Sequence, residues 1–194
     1  MRVPYGSWPS PFGAADIAAS APRLDGALFV GDEIWWGESV PDEGGRITVR
    51  SSDGQVVLPA PWNARSRVHE YGGGAWTADA TGILFFVDAA DQRVYRMLPG
   101  AAPEPLTAPG PNHGGLRVQQ GRLLAVREDL TVQPHRRAIV EIPTDRVDDA
   151  RVIAETTGFV AHPALSPDGT RLAWVQWDER SMPWQRASLR MGAV

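Results

Sequence analysis

The sequence predicts an all-β protein, a partial β-propeller of about four four-stranded blades, on the basis of two observations. Clusters of β-prone apolar residues recur roughly every 40–50 residues, which is the repeat length of a propeller blade. The 17 prolines and 20 glycines interrupt any long pattern of helical period. A β-sandwich is the competing architecture, but sandwich turns recur about every 8–12 residues without the longer unit that recurs in this chain.

Each repeat begins with two β-rich runs separated by a short polar or glycine-containing turn, the pattern of a β-hairpin. The hairpins are predicted at 27–36, 74–88, 116–129 and 163–178. Third strands are predicted at 46–52, 92–98 and 137–143, and outer strands at 55–61, 103–109 and 150–156. The fourth unit reaches Val194 within its third strand, so we expect the last blade to be incomplete.

These elements divide the chain into a lead-in segment, 1–24, and a propeller, 25–194. Within the lead-in, the alanine-rich stretch 13–21 favours a short helix that precedes the first blade. The expected blades are 25–61, 67–109, 114–157 and the incomplete 159–194.

Composition excludes several classes of function. A net charge of -4 argues against the broad basic surface that nucleic-acid binding needs. The absence of cysteine excludes disulfides, thiolate metal ligands and thiol catalysis, and makes the cytoplasm the expected compartment. Prolines interrupt the N-terminus before a signal peptide could form, and no apolar run approaches the roughly 20 residues of a membrane span. We expect no cofactor and no membrane partner.

The stretch "SPDG" at 166–169 places a serine beside an aspartate, and His162 precedes it. Proline, aspartate and glycine at these positions are typical of a tight turn, with Ser166 as its first residue. No serine is flanked as in G-x-S-x-G, the motif that exposes a catalytic serine in α/β-hydrolases. A small hydrolase assembled from Ser166, His162 and Asp168 therefore stays a minor alternative. With no H-x-x-x-H motif, a metal site is not expected.

The stretch "RVHEYGGGAW" at 67–76 carries the candidate substrate-binding residues His69, Glu70 and Tyr71. Three consecutive glycines allow the backbone to bend sharply or to approach another group closely. The alternative is structural: the glycines let the chain enter an inner strand at a crowded axis, and Glu70 bonds a neighbouring blade.

Other polar and aromatic residues are expected to have structural roles. The acids Glu128 and Asp129 are interpreted as a solvated strand end. The strand tryptophans are interpreted as inter-sheet packing. These are residues 35, 36, 76, 174 and 177.

In this order along the chain, a set of motifs resembles the N-terminal propeller of the bacterial prolyl oligopeptidase family, nearest to its acylaminoacyl-peptidase and dipeptidyl-aminopeptidase-like branch. The more specific ones are "HEYGGG" at 69–74 and "WDxxxMPW" at 177–184. The others are "YGSWPSP…AADIA" from 5 to 18, "FVDAADQRVYR" at 86–96, "LLAVRED" at 123–129 and "LSPDG" at 165–169. The match spans nearly the whole chain.

The resemblance implies a two-part peptidase in which a propeller of seven or eight blades covers a C-terminal α/β-hydrolase domain carrying Ser, Asp and His. The propeller would exclude folded proteins and contact the peptide substrate. No hydrolase domain is expected within these residues, so we expect a non-catalytic propeller fragment. The paired glutamates that hold a substrate ammonium in dipeptidyl-peptidase relatives are not found as an adjacent pair.

A half ring of blades leaves apolar sheet surface uncovered, so the sequence also predicts self-association or a protein partner. The missing α/β-hydrolase domain is the partner that the resemblance implies. The alternative is a stand-alone propeller scaffold that holds a peptide or a protein on its blade loops.

Overall fold

The computed structural model describes residues 4, 6–7, 9–14, 21–147 and 150–194, and it confirms the all-β fold. The short helix expected at 13–21 falls largely on residues 15–20, which lie outside the described residues. In the described part, a single 3-10 turn, Pro41–Glu43, interrupts the strands. None of its helices has the length and apolar character of a membrane span.

Four antiparallel sheets follow one another along the chain, as expected of a partial propeller. The first sheet contains β1 (Leu24–Val30), β2 (Glu33–Val40) and β3 (Arg46–Ser51). The second contains β4 (Trp76–Ala78), β5 (Leu84–Val87), β6 (Val94–Met97) and β7 (Glu104–Pro105). The third contains β8 (Asn112–Gln119), β9 (Arg122–Asp129), β10 (Arg136–Ile142) and β11 (Arg151–Thr156). The fourth contains β12 (Phe159–Leu165), β13 (Arg171–Trp177) and β14 (Ser188–Ala193).

The first sheet differs from the sequence expectation because segment 55–61 is not an outer strand. Its backbone contacts with β3 are the isolated bridge between Arg50 and Val56, the Ser51 N–H that donates to the Gln55 carbonyl, and the N–H groups of Val57 and Leu58 that both donate to the Val49 carbonyl. Pro59 and Pro61 have no N–H to continue a ladder, which accounts for the early end of the pairing.

Strands of the second and third sheets bury both faces, because successive side chains point to opposite sides of a sheet. Leu84 and Phe86 of β5 pack against the first sheet, and Phe85 and Val87 pack against the third. In β9, residues 123 and 125 pack against the second sheet, and residues 124 and 126 against the fourth. Continuous apolar runs such as "LFFV" are therefore required in these two sheets.

The first strands of successive sheets contact one another, β1 with β4, β4 with β8 and β8 with β12, so they line a common axis. Because consecutive strands are antiparallel, the turns and connections of every sheet lie at one of the same two ends. We call one the turn end, where the hairpin turns at 31–32, 79–82, 120–121 and 166–170 lie. We call the other the loop end, where the connections at 56–75, 88–93, 130–135, 157–158 and 178–187 lie.

Candidate functional site

The segment before β4 runs across the loop end with an unusual backbone. His69 and Glu70 have φ angles of 57° and 65°, in the left-handed region that few non-glycine residues occupy. The turn is closed by the Glu70 N–H, which donates to the Arg67 carbonyl at 2.9 Å, and by the Gly72 N–H, which donates to the Val68 carbonyl at 2.9 Å. Conformations of this kind persist only where the surrounding contacts hold them, and they concentrate at functional sites.

The glycines after this turn lie directly against another backbone. A Cβ on Gly74 would stand 2.7 Å from the Gly115 Cα, and a Cβ on Gly72 would stand 2.5 Å from the Ser66 carbonyl oxygen. The Gly115 N–H donates to the Gly73 carbonyl at 3.0 Å, which joins the segment to β8. The sharp bend and the close approach that the sequence suggested are therefore both present. They let the chain pack against β8 at the crowded axis of the propeller.

A buried ion network holds the His69 turn from below. Glu128, at the end of β9, accepts the backbone N–H of His69 at 3.1 Å and Nε of Arg137 at 2.7 Å. Arg137 also donates from Nη1 to Glu179 at 2.8 Å and to the Thr157 carbonyl at 2.9 Å. The side chains of Glu128 and Arg137 are 3% and 6% exposed. The interpretation of Glu128 as a solvated strand end is therefore wrong, because this carboxylate is buried and bonds the His69 turn and Arg137, which in turn bonds Glu179 beside the fourth sheet.

Aromatic rings stack beside this network. Phe159 and Trp177 are parallel within 16° at a centroid distance of 5.4 Å, and the Arg137 guanidinium lies 4.1 Å from the Phe159 ring centre. The His69 ring stands edge-on to both, 5.1 Å from Phe159 and 5.5 Å from Trp177. Trp177, interpreted from sequence as inter-sheet packing, is thus part of an aromatic wall at the loop end.

The position of His69 defines its charge state. Its Nε2 atom is buried and, among the residues that the structure describes, has no hydrogen-bond partner. Burial lowers the pKa of His69 below its ordinary value, the Glu128 carboxylate opposes that shift, and Arg137 adds to it. A neutral imidazole enclosed by rings can place an N–H on an aromatic face, so His69 supports the wall.

A cavity of about 700 Å³ opens above the aromatic wall. Its lining joins the "HEYG" and "WDxxxMPW" segments, which lie far apart in sequence. Tyr71 is 83% exposed and Trp184 is 77% exposed, and both stand on the lining of this cavity. The remaining lining comes from Leu130, His135, Phe159, Glu179, Arg180, Ser181, Met182, Pro183 and Gln185, together with the ion network.

The structure therefore brings the three sequence-predicted residues to one cavity but gives them different positions. Glu70 and Tyr71 have exposed side chains on its lining, whereas His69 is half-buried in the wall. The sequence interpretation missed Arg137, Phe159 and Trp184. The strand topology could have indicated these residues, since the connections between blades and the connections between second and third strands lie at the same end of a propeller.

Ser166 lies at the turn end and forms a turn, as the sequence predicts. Its hydroxyl donates to Asp168 Oδ1 at 2.5 Å and accepts the Arg171 N–H at 3.0 Å. Asp168 also accepts the N–H and the hydroxyl of Thr170, at 3.1 and 2.9 Å. The serine oxygen is thus engaged by an aspartate and a backbone N–H, and in the described part of the chain no histidine is hydrogen-bonded to it, so these contacts do not form a hydrolytic triad. No cluster of three or more potential metal ligands occurs among the described residues.

Solved structures match this chain over 99% of its length. A Mycobacterium tuberculosis puromycin-hydrolyzing peptidase is 39% identical with a TM-score of 0.86. A puromycin hydrolase is 35% identical with a TM-score of 0.83, and a mutant of puromycin hydrolase complexed with PGG is 35% identical with a TM-score of 0.84. The chain spans about a third of these proteins, 32% of the first and 33% of the other two. No protein-family model and no curated protein matches it.

Proposed function

We propose that the chain, which belongs to the prolyl oligopeptidase family as part of its N-terminal propeller, forms the substrate-contacting and gating part of a peptidase. Peptides approach the loop end, and the cavity between the His69 turn and the Trp177–Trp184 segment contacts them. Hydrolysis is assigned to an α/β-hydrolase domain outside these residues. The 194-residue chain alone is therefore expected to bind peptides without cleaving them.

The convergence of two distant segments on one cavity is the observation that carries this proposal. Sheets of a propeller need apolar faces to pack, but packing does not require two exposed aromatic side chains, Tyr71 and Trp184, beside a buried ion network. Apolar cavities with a few convergent polar groups are the usual form of a small-ligand site.

The size of this cavity supports the proposed gating, in which short peptides enter and folded proteins are excluded. A volume of about 700 Å³ accommodates a few amino-acid residues of an extended chain and is far too small for a folded protein. The similar proteins are named for the hydrolysis of puromycin, a small molecule, and substrates of that size are the class that we assign to this chain.

The outer faces of the first and fourth sheets supply the second part of the proposal. Phe29 on β1 and Leu189 and Met191 on β14 are 77%, 77% and 65% exposed. The covered faces between sheets are lined by such residues, so we propose that further protein covers these two faces. In the isolated chain a second copy would do so, and light scattering at increasing concentration would then report a mass above 21.1 kDa.

Calorimetric titration of the purified chain with short end-capped peptides and with puromycin tests the proposed function. We expect measurable binding that Trp184→Ala weakens about tenfold, roughly 1.4 kcal/mol. The control is Leu98→Ala, which truncates an exposed apolar side chain away from both the cavity and the proposed protein-covered faces. Absence of binding would contradict the proposal, and turnover of an activated ester would contradict the assignment of hydrolysis to another domain. Binding of folded proteins but not of peptides would favour a stand-alone scaffold.

A further inference from the structure

The lining of the loop-end cavity has more aromatic surface than a general peptide-contact site needs. Tyr71 and Trp184 present most of their surface to solvent, and Trp177 lies half-buried beside them. Exposed aromatic groups are unfavourable in water and are enriched where a protein contacts a partner. Met182 and Leu130 extend this surface. The surface is suited to a ligand group that is itself flat and apolar.

The aromatic wall of the cavity is held in place by contacts within the protein itself, without a ligand. Arg137, Phe159 and Trp177 form a continuous stack, and the His69 ring closes its edge. Arg137 cannot rotate away without leaving the buried Glu128 carboxylate unpaired. A ring that docks here therefore meets a preformed aromatic surface, and little ordering free energy is lost on binding.

The charges around the cavity discriminate against acidic groups. Its lining includes the carboxylates of Glu70, Glu128 and Glu179 and the guanidinium groups of Arg137 and Arg180. Both oxygens of Glu128 are engaged, and Arg137 is shared between Glu128 and Glu179. Within the described part of the chain, no ion pair involves the exposed Glu70 side chain. The lining thus carries three carboxylates against two guanidinium groups, so a ligand carboxylate would meet a net negative charge, and like charges brought together at a binding site oppose binding.

We infer that this cavity is a specificity pocket for an aromatic side chain of the peptide and that it rejects acidic side chains. The inference rests on the proposed function and deepens it. Tyr71, Trp177 and Trp184 select the ring by stacking and apolar contact, and Glu70 excludes carboxylates. Offset or edge-on ring pairs contribute about 0.5–1.5 kcal/mol beyond the area that they bury.

The test uses four tripeptides with acetylated and amidated ends that differ only in the central residue, which is Phe, cyclohexylalanine, Ala or Glu. Calorimetric titration of the full chain should give about tenfold tighter binding for Phe than for Ala, with cyclohexylalanine between them and Glu weakest. Trp184→Leu keeps an apolar side chain and should remove the preference for Phe over cyclohexylalanine. Glu70→Gln should restore binding of the Glu peptide to the level of the Ala peptide. Leu98→Ala, which truncates an exposed apolar side chain at the turn end, is the control that should change none of these ratios.

The possible failures are distinguishable. If all four peptides bind equally and Trp184→Leu weakens them equally, the cavity contacts peptides as proposed and the aromatic specificity is overturned. If the Glu peptide stays weakest in Glu70→Gln, the assigned role of Glu70 is overturned. If no peptide binds the wild-type chain, the proposed function fails as well. Both substitutions are at exposed positions, and circular dichroism confirms that each variant keeps the wild-type β-sheet spectrum.

Discussion

The two ends of the sheets differ in how deeply their long-range polar contacts are buried. At the turn end, the Ser166–Thr170 turn is closed by hydrogen bonds within five consecutive residues, and the Gln120 side chain that reaches its Ser166 and Pro167 carbonyls from the neighbouring sheet is exposed. At the loop end, the side chain of Glu128 bonds His69, 59 residues away in sequence, and Arg137 bonds Glu179, 42 residues away. Buried polar side chains accordingly gather at the loop end. They include Ser66, Asp88, Gln92, His113, Glu128 and Arg137.

This difference indicates where the chain can tolerate change and where it can carry a function. A turn whose contacts are local or exposed responds to substitution locally, whereas a buried network couples several sheets and fixes the groups around it. The candidate site lies at the end where the backbone is strained and the charges are buried. If this difference is correct, matched substitutions at the two ends should lower the free energy of unfolding by different amounts wherever a buried long-range contact is removed.

The largest difference is expected from Arg137→Leu, which leaves the Glu128 carboxylate buried without its cation. Breaking a buried pair in this way costs about 3–5 kcal/mol of unfolding free energy. The matched change is Arg122→Leu at the turn end, where Arg122 pairs with Glu141 and the two side chains are 22% and 24% exposed. A partly solvated pair contributes less than about 1 kcal/mol. Urea denaturation measures both, and equal losses would contradict the contrast.

The next effect separates backbone strain from close packing. Gly74 and Gly121 have φ angles of 55° and 72°, but only Gly74 has a neighbour, Gly115, where a Cβ would lie. Gly121→Ala at the turn end should cost about 1 kcal/mol for the left-handed conformation alone. Gly74→Ala should cost about 2–4 kcal/mol because overpacking adds to that strain. Similar urea midpoints for the two variants would show that the crowded axis relaxes freely.

His113, at the loop end, makes the stability of the folded chain depend on pH. Its ring is buried and contacts the Gln92 carbonyl at 3.2 Å, and burial lowers its pKa from 6.5 to about 4. Between these values the unfolded chain binds a proton that the folded chain does not, so stability falls as pH decreases from about 6.5 towards 4. The loss by pH 4.5 should be about 2–3 kcal/mol.

His113→Asn should remove that part of the loss, as measured by urea denaturation at pH 7.0 and 4.5. The control is His162→Asn, which changes an exposed ring on β12. Burial also lowers the pKa of His69, so the variant should keep a residual dependence of the same sign. An unchanged pH dependence in His113→Asn would place the titrating group elsewhere.

Local chemistry made much of the fold predictable. Hairpins follow from apolar runs around glycine-containing turns, and the apolar "LFFV" and "LLAV" runs mark strands that are buried on both faces. The prediction of an outer strand at 55–61 was wrong because it gave more weight to the β-prone residues than to the prolines that end the hydrogen-bond ladder. Blade boundaries and the lead-in segment stay predictions.

The candidate site was only partly predictable, because it depends on contacts between distant segments. The "HEYGGG" motif indicated His69, Glu70 and Tyr71, but no periodicity indicates that Glu179 reaches Arg137 or that Trp184 and Tyr71 line one cavity. The direct pairing of Glu128 with Arg137 on neighbouring strands could have been found from the strand register. An acid and an arginine at opposed positions in apolar strands indicate a buried pair once the hairpin is aligned.

The smallest effect should be similar at both ends. Asp168 at the turn end and Asp129 at the loop end each accept the N–H and the hydroxyl of the threonine two residues later. Asp168 also accepts the Ser166 hydroxyl, which is the main cause of its lowered pKa, whereas the Thr131 hydroxyl is the main cause of the lowered pKa of Asp129. Asp168→Ala and Asp129→Ala should therefore lower the urea midpoint slightly, with the fall for Asp168→Ala equal or larger because one more hydrogen bond is lost. A clearly larger fall for Asp129→Ala would mean that even the local turns of the loop end are coupled to the buried network, whereas the expected order confines the difference between the ends to buried long-range contacts.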